Sequence, residues 1–286
     1  MNRALLFYSI SFGLILIYIG LFGWRTTGSL LFVALLLWGL MKFLGGLVNV
    51  LTGKSPFGTY RKIIHVLLLG TVIGFIVFDV PAIYLFQIWT YQISIPNPFS
   101  DFVLYAVQAL GWGAFLIVFY DSYTLVHLAI DKNFHHFGFS SRNKHASEKV
   151  FSFLGIIGIC LFLLAITLAL IGYTHTMWPP LIGAFGTWFI LENIEFKRTG
   201  KTLLLSMWRG HIAPIASILV GSIGLGLIFE YLNIISPKQH WVYHGLPFEN
   251  IHVLGVPLFL LVSWSWMYII FLSCYAIVYK KENLWK

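Results

Sequence analysis

The sequence predicts an all-α, polytopic membrane protein, with about eight transmembrane helices forming a single domain over residues 1–286. Hydrophobic residues make up 59% of the chain and charged residues only 10%, against about 25% charged residues in an ordinary soluble domain. The mean hydropathy is +0.85, and the apolar residues occur in runs near the roughly 20 residues that a span requires. These properties exclude a disordered chain, a secreted disulfide scaffold and a conventional soluble enzyme.

Eight apolar runs are candidates for the spans, and the first is too long for a cleavable signal peptide. The third run is short and ends at Asp79-Val80-Pro81, and the sixth contains Pro179, Pro180 and Glu192. The runs are 4–23, 30–51, 63–80, 102–130, 150–172, 178–196, 211–232 and 255–279.

Basic residues alternate between the loops and predict the orientation. With a cytoplasmic N-terminus, the outside segments hold only Arg25 and Lys238, and Lys42 lies within the second span. Such an imbalance follows the positive-inside rule, so we expect both termini to be cytoplasmic in a multi-pass protein of the cell membrane. The basic residues of the inside segments are Arg3, Lys54, Arg61, Lys62, Lys132, Arg142, Lys144, Lys149, Lys197, Arg198, Lys201, Arg209, Lys280, Lys281 and Lys286.

The net charge of +8 is interpreted as this topology together with attraction to membrane lipids. The basic residues form no single stripe, so no nucleic-acid partner is expected. The inner loop 131–149 contains His135, His136 and His145, and we interpret it as a solvated basic loop without a metal. The aromatic residues of the outer loop 81–101 suggest a segment in the membrane interface.

Ionisable residues at membrane depth usually mark function, and two groups of them are present. Towards the cytoplasmic side, Asp121 and Glu192 lie deepest, and we expect each to be structural, paired with a basic residue or a helix-end amide. The others on that side lie near span ends, where contact with headgroups is cheap. They are His65, His127, Glu195 and His211.

The outer side holds the richest combination of carboxylate, amide, histidine and tryptophan in the chain. Glu230 ends the glycine-rich seventh span, and Gly226, four residues earlier, shares its helix face. Glu230 is therefore expected to point towards the eighth span, whereas Trp241 is assigned to an interfacial belt. The candidate site residues are Glu230, Asn233, Tyr243, His244, Trp264 and Trp266.

The C-terminal part of the chain resembles a family of integral-membrane carotenoid-biosynthesis proteins that includes the bacterioruberin-type carotenoid hydratases. The resemblance lies in GSIGLGLIFEYLNI, W-V-Y at 241–243 and LGVPLFLLVSWSWM, about a fifth of the chain. The residues that match the family pattern are Glu230, Tyr243, Gly255, Val256, Pro257 and Trp264.

The resemblance implies a cofactor-independent lyase or hydratase that acts on an apolar isoprenoid, such as a carotenoid, by acid-catalysed hydration or cyclisation. A carboxylic acid in an apolar site tends to keep its proton, so Glu230 would be the acid. Trp264, Trp266 and Tyr243 would stabilise the resulting cation. Asn233 or His244 would place the water.

Two other interpretations stay open. One is a transporter or a non-catalytic membrane subunit with membrane-protein partners, for which internal repeats or broken helices would be typical. The other is a lipid-modifying methyltransferase, which would require His65 to meet Glu192 and Glu195 on the cytoplasmic side.

Overall fold

The computed structural model describes residues 3–54, 57, 59–91, 100–131, 144–236, 241–280 and 284–285. Within these residues the protein is an all-α bundle of long antiparallel helices, as predicted. The helices are α1 (Arg3–Thr27), α2 (Leu30–Thr52), α3 (Tyr60–Ile73), α4 (Ser100–Asp131), α5 (Lys144–Leu170), α6 (Trp178–Thr199), α7 (Leu203–Trp208), α8 (Ala213–Ile235) and α9 (Leu258–Val278). Four short strands are β1 (Trp89–Tyr91), β2 (Trp241–Tyr243), β3 (His252–Val253) and β4 (Val256–Pro257).

Seven of the helical segments are long and apolar enough to span a membrane, and α6 is the eighth long helix. Its two acidic residues and basic C-terminal turn lower its hydropathy. Nevertheless α6 runs the length of the bundle. Met177, next to its first turn, bonds the Gly245 carbonyl, and Glu195 near its end bonds Trp285.

Contacts between loops show which segments lie at each end of the bundle. The two ends are here called outer and inner after the predicted orientation. At the outer end β1 pairs with β2, and Trp24, near the end of α1, donates to the Leu232 carbonyl at 2.8 Å. At the inner end Tyr123 donates to the Leu284 carbonyl. The beginning of α1 and the C-terminal residues therefore lie at the same end, as an even number of crossings requires.

The third crossing differs from its prediction. The apolar run was expected to end before Pro81, but the helix continues through two π-helical segments, Gly74–Asp79 and Pro81–Leu85. Proline lacks the amide proton of a regular helix, and a wider turn absorbs that defect. The crossing therefore reaches Leu85, and Asp79 is buried inside the bundle with 2% of its surface exposed.

The prediction that the outer loop 81–101 lies in the membrane interface stays a prediction, and in its described part the loop also packs against the bundle. Phe86 is buried in a small apolar core with Met177 and Leu260, and β1 covers the outer end of the bundle. Within the inner loop, residues 132–143, which include His135 and His136, lie outside the described residues, and His145 belongs to the first turn of α5.

The main core lies between α2, α4, α8 and α9. At its periphery, glycines allow α1 to approach α2 closely and α5 to approach α6 closely. A Cβ on Gly39 would lie 2.7 Å from the Ile17 backbone nitrogen of α1. A Cβ on Gly186 would lie 2.7 Å from the Gly158 carbonyl oxygen of α5. Small residues at such contacts are typical of helix packing in membranes.

Candidate functional site

A two-stranded aromatic ribbon closes the outer end of the bundle. Strands β1 and β2 pair antiparallel, with Trp89 opposite Tyr243 and Tyr91 opposite Trp241. Residues opposite each other, and residues two apart, share one face of a sheet. All four side chains of this aromatic ribbon line one cavity inside the bundle. Its members are Trp89, Tyr91, Trp241 and Tyr243.

Glu230 lies beneath the aromatic ribbon, with 2% of its surface exposed. Its Oε1 accepts hydrogen bonds from the Tyr243 hydroxyl at 2.7 Å and the Trp264 indole nitrogen at 2.9 Å. Its Oε2 accepts one from the Trp241 indole nitrogen at 3.1 Å. All three donors are neutral, so among the described residues the carboxyl group is held by hydrogen bonds to uncharged groups.

The approach of α9 to Glu230 depends on Gly226. A Cβ on Gly226 would lie 3.0 Å from Trp264 Cγ, so any larger residue would push the indole away. The predicted direction of Glu230, towards the eighth span and close to Trp264, is confirmed. Trp264 also stacks on Phe229, with ring centroids 5.6 Å apart.

The two tyrosines of the aromatic ribbon remain hydrogen-bond donors at neutral pH. Burial, followed by the nearby Glu230 carboxyl, raises the pKa of Tyr243 well above its usual value. Burial and then the Asp79 carboxyl do the same to the pKa of Tyr91. Both hydroxyls therefore keep their protons and can hold a carboxyl group in place.

A second carboxyl group, Asp79, makes similar contacts with the other strand of the aromatic ribbon, β1. Its Oδ1 accepts from the Tyr91 hydroxyl at 3.0 Å, and its Oδ2 accepts from the Trp112 indole nitrogen at 2.6 Å. Each carboxyl group is thus bound by one tyrosine of the aromatic ribbon and at least one tryptophan. Asp79 ties β1 to the π-helical segment that follows α3, and Glu230 ties β2 to α8.

The cavity between these groups has a volume of about 220 Å³ and opens partly to the exterior of the bundle. Its wall is largely aromatic and aliphatic, with contributions from α2, α4, α6, α8, α9 and the aromatic ribbon. Its polar members include Glu230, Gln108 and Ser263. An apolar pocket with a few convergent polar groups is the usual form of a small-molecule site.

The predicted site residues fall into two groups. Glu230, Tyr243, Trp264 and Trp266 all line the cavity. Trp266 lies apart from the carboxyl contacts and packs on Phe185 of α6, with ring centroids 4.1 Å apart.

Asn233 and His244, in contrast, make contacts within the loop. The Asn233 amide nitrogen donates to the Trp241 carbonyl at 2.8 Å, and the Asn233 side-chain oxygen faces the Trp241 amide at 3.4 Å. The half-buried His244 ring lies 3.3 Å from the Thr90 hydroxyl. Neither is among the described residues that line the cavity.

Sequence reasoning missed several residues of the site. Trp241 was assigned to an interfacial belt, and this prediction is wrong because its indole binds Glu230. Tyr91, Trp112 and Gln108 were not singled out, and Asp79 was treated only as the end of a run. One signal was present: both outer loops contain W-x-Y, at 89–91 and 241–243.

The inner carboxyl groups do not form a comparable site. Glu192 is fully buried and accepts from the Trp188 indole at 2.8 Å and from the Leu204 amide, at the start of α7, at 3.2 Å. Its predicted pairing with a helix-end amide is confirmed. Glu195 accepts from the Trp285 indole at 2.5 Å. His65 is exposed on α3, so the methyltransferase arrangement is not formed.

Asp121 contradicts its prediction. It is fully buried, but neither carboxyl oxygen has a hydrogen-bond partner among the described residues. The residue lies against α2, where a Cβ on Gly45 would be 3.1 Å from Oδ2. The expected pairing with a basic residue or helix-end amide is therefore absent from the described part of the chain.

The fold and the site define a multi-pass helical membrane protein with a partly open, aromatic-walled cavity around a buried carboxyl group. Comparison with protein-family models, curated proteins and solved structures finds no match to this chain.

Proposed function

We propose that this protein is an integral-membrane enzyme that protonates a carbon–carbon double bond of an apolar isoprenoid of the carotenoid type. Hydration or cyclisation of the polyene would follow, with Glu230 as the acid. The observation that carries the proposal is a buried carboxyl group that faces an apolar, aromatic cavity and is held by three neutral donors.

The hydrogen bonds of Glu230 favour one position for its proton. Oε1 accepts two hydrogen bonds and serves as the carbonyl oxygen, whereas Oε2 accepts a single, longer one from Trp241. A protonated carboxyl group has one O–H donor. In the acid form, this donor belongs on Oε2 and is available to a ligand in the cavity.

The surroundings of Glu230 suit a carbocation. Phe115, Phe229 and Trp264 form an aromatic cluster, with centroids 5.1 Å apart for Phe115 and Phe229 and 5.8 Å apart for Phe115 and Trp264. The faces of such rings attract cations, and the attraction is strongest where water is excluded. Aromatic side chains can therefore stabilise positive charge without acting as a base.

The proton and oxygen balance is simple. Glu230 gives its proton to one alkene carbon, which leaves a tertiary cation on the other carbon and a carboxylate on the enzyme. In hydration, water adds to the cation and the surplus proton returns to the carboxylate. In cyclisation, a second double bond attacks the cation, and the new cation transfers a proton from an adjacent carbon back to the carboxylate, which restores an alkene and the acid. Neither route requires an oxidant or a reductant.

The size of the cavity limits how the substrate binds. Pockets for whole drug-sized ligands measure about 300–1,000 Å³, and this cavity measures about 220 Å³. It would take one end of a long chain, while the remainder passes through the open side into the bilayer. This arrangement suits a reaction at the terminal double bond of a polyene.

The resemblance to the carotenoid-biosynthesis family agrees with this proposal. Three of the matching residues, Glu230, Tyr243 and Trp264, form one hydrogen-bonded group. Gly255 adopts φ +81° at the turn before α9, which favours glycine. For the cellular location, the distribution of basic residues supports the cytoplasmic membrane with both termini inside.

Isotope labelling tests the proposal. The protein in lipid nanodiscs would receive an acyclic carotenoid polyene in deuterated water or in water labelled with heavy oxygen. Deuterium on carbon is expected in either product, and heavy oxygen only in the hydrated one. Glu230→Gln should abolish both incorporations, whereas Glu192→Gln, a change at another buried glutamate with a tryptophan donor, should retain them. Unlabelled polyene with the wild type would contradict the proposal.

A transporter is the second candidate, favoured by one observation. The third crossing has two irregular, π-helical segments, and the first ends at the buried Asp79. Irregular membrane helices with buried carboxyl groups occur in transporters. Transport moves the ligand without changing it. Uptake of unmodified polyene into protein-containing vesicles, beyond that into protein-free vesicles, would favour this candidate.

A further inference from the structure

Gln108 is a buried amide in the cavity wall whose hydrogen-bonding capacity is not filled. The residue is 9% exposed, and neither Oε1 nor Nε2 forms a hydrogen bond of good geometry with a described residue. The amide lies beside the Tyr91 hydroxyl, which already donates to Asp79. The side chain lines the cavity on α4, in the outer half of the bundle. Burying a carboxamide without hydrogen-bond partners costs free energy. A ligand in the cavity that forms hydrogen bonds with the Gln108 amide would offset this cost.

The chemistry of the amide restricts which functional group of a ligand it can bind. A carboxamide offers an acceptor oxygen and a donor NH₂ group side by side. A hydroxyl group can complement both, because it donates through its proton and accepts through its lone pairs. The Trp89 indole N–H also lines the cavity and has no partner among the described residues. It supplies a second donor for the same kind of oxygen.

Other polar groups of the wall are already engaged. The Tyr91 hydroxyl donates to Asp79, the Ser263 hydroxyl donates to the Leu260 carbonyl at 2.7 Å, and Glu230 accepts three hydrogen bonds. Asn233 and His244, which were expected to place a water, make their contacts in the outer loop. Gln108 is thus the wall residue that combines a free donor with a free acceptor in the described part of the chain.

We infer that Gln108 is a hydroxyl-binding subsite of the cavity. The hydroxyl group is either the alcohol of an isoprenoid ligand or the water that adds to it. The isoprenoid nature of the ligand rests on the proposed function, whereas the preference for a hydroxyl group rests on the amide itself.

A matched pair of ligands tests the subsite without any turnover. The probes are a linear isoprenoid alcohol and the hydrocarbon of the same chain length, and binding is measured by quenching of tryptophan fluorescence in nanodiscs. The wild type should bind the alcohol about tenfold more tightly, the effect of a satisfied buried hydrogen-bonding group. Gln108→Leu should remove this preference and leave binding of the hydrocarbon unchanged.

Thr187→Ala is the matched control, because it removes a hydroxyl group that is bonded to its own helix, at the Gly183 carbonyl, and that is not among the described residues lining the cavity. It should keep the preference for the alcohol. Thermal unfolding of each variant establishes that the protein is folded. Leucine is close to glutamine in size and is apolar, so Gln108→Leu should fold at least as well as the wild type.

A second arm distinguishes water from a ligand hydroxyl. If the wild type does not discriminate between the two ligands, Gln108→Leu should instead lower the incorporation of heavy oxygen into the polyene by about tenfold relative to Thr187→Ala. That result would assign the subsite to water. If Gln108→Leu changes neither the preference nor the incorporation, the inference is overturned.

Failure of the subsite and failure of the proposed reaction give different results. Loss of the alcohol preference in Gln108→Leu, without turnover by any protein, would support the subsite and reject the acid-catalysed reaction. Binding of neither probe by the wild type would overturn the subsite.

Discussion

Glu230 at the outer end and Glu192 at the inner end are both buried glutamates with tryptophan donors, but their surroundings differ. Glu230 faces a cavity and binds side chains from β2 and α9. Glu192 binds the Leu204 amide of α7 and a tryptophan one turn away on its own helix. Glu192 therefore connects α6 to α7 and has a structural role. Glu230 connects α8 to α9 and β2, and it also lines a cavity that can hold a ligand. Residue type and depth alone do not distinguish these roles.

The largest effect on stability is expected for Glu230→Leu. This change leaves the buried donors of Trp241, Tyr243 and Trp264 without an acceptor. Hydrogen bonds between membrane helices contribute about 0.6–1.7 kcal/mol each, so we expect the free energy of unfolding to fall by about 3 kcal/mol. Equilibrium unfolding in mixed micelles measures it. A loss below about 1 kcal/mol would mean that these bonds do not hold the outer end together.

Glu192→Leu should lower stability by less, about 2 kcal/mol, because it leaves two donors, on Trp188 and Leu204. Turnover per folded molecule should remain close to that of the wild type, since this carboxyl group lies away from the cavity. Unfolding and polyene turnover are measured on the same preparation. Normal stability combined with lost turnover would place the active carboxyl group at the inner end.

Asp121→Val should raise the stability of the protein, whereas the two glutamate substitutions lower it. Its carboxyl group is buried without a hydrogen-bond partner in the described structure, and an apolar residue of similar volume removes that cost. We expect the free energy of unfolding to rise by about 1 kcal/mol. Asp121→Asn serves as the control, because it keeps a polar group at the same place and should bring no such gain. A clear loss of stability in Asp121→Val would reveal a partner for this carboxyl group.

The smallest effect is expected for His244→Ala. The imidazole is half-buried and contacts the exposed Thr90 on the outer surface of the strands. Surface substitutions of this kind usually change stability by less than about 0.5 kcal/mol, and turnover should stay within about twofold. A turnover assay with the Thr90→Ala variant alongside checks this. A large fall in turnover for His244→Ala, without one for Thr90→Ala, would show that His244 takes part in the reaction.

Much of the fold could be predicted from local features of the sequence. The alternation of apolar runs and basic loops is a local property, and it predicted a helical bundle with an even number of crossings. The span around Glu192 could be predicted despite its charges, because the basic loops at 131–149 and 197–209 both belong inside and the chain must therefore cross twice between them. The end of the third crossing was misplaced because a proline normally stops a helix, and the compensating π-helical turns are not visible in the sequence.

The site could be predicted only in part, because half of it depends on long-range pairing. Gly226 and Glu230 lie on one helix face, so their contact with Trp264 follows from helix periodicity. The aromatic ribbon joins residues about 150 positions apart, and its register is set by tertiary structure. Trp241, Tyr91 and Asp79 were missed for that reason. Gln108 was missed because only ionisable residues were considered at membrane depth.

The central claim is that the outer cavity around Glu230 holds an apolar ligand, and filling that cavity tests it most directly. Gly111 lines the cavity, and a Cβ there meets only Leu37, at 3.5 Å. Gly111→Phe should occupy the space without displacing the backbone. Gly224→Phe, at a helix position with no atom within 4 Å of an added Cβ, makes the same change on the outer surface of α8.

The three proteins in nanodiscs would be incubated with an acyclic polyene, washed, purified again and extracted, and the retained polyene measured by its absorbance. We expect retention by the wild type and by Gly224→Phe, and little or none by Gly111→Phe. Equal retention by all three folded proteins, or none by the wild type, would contradict it.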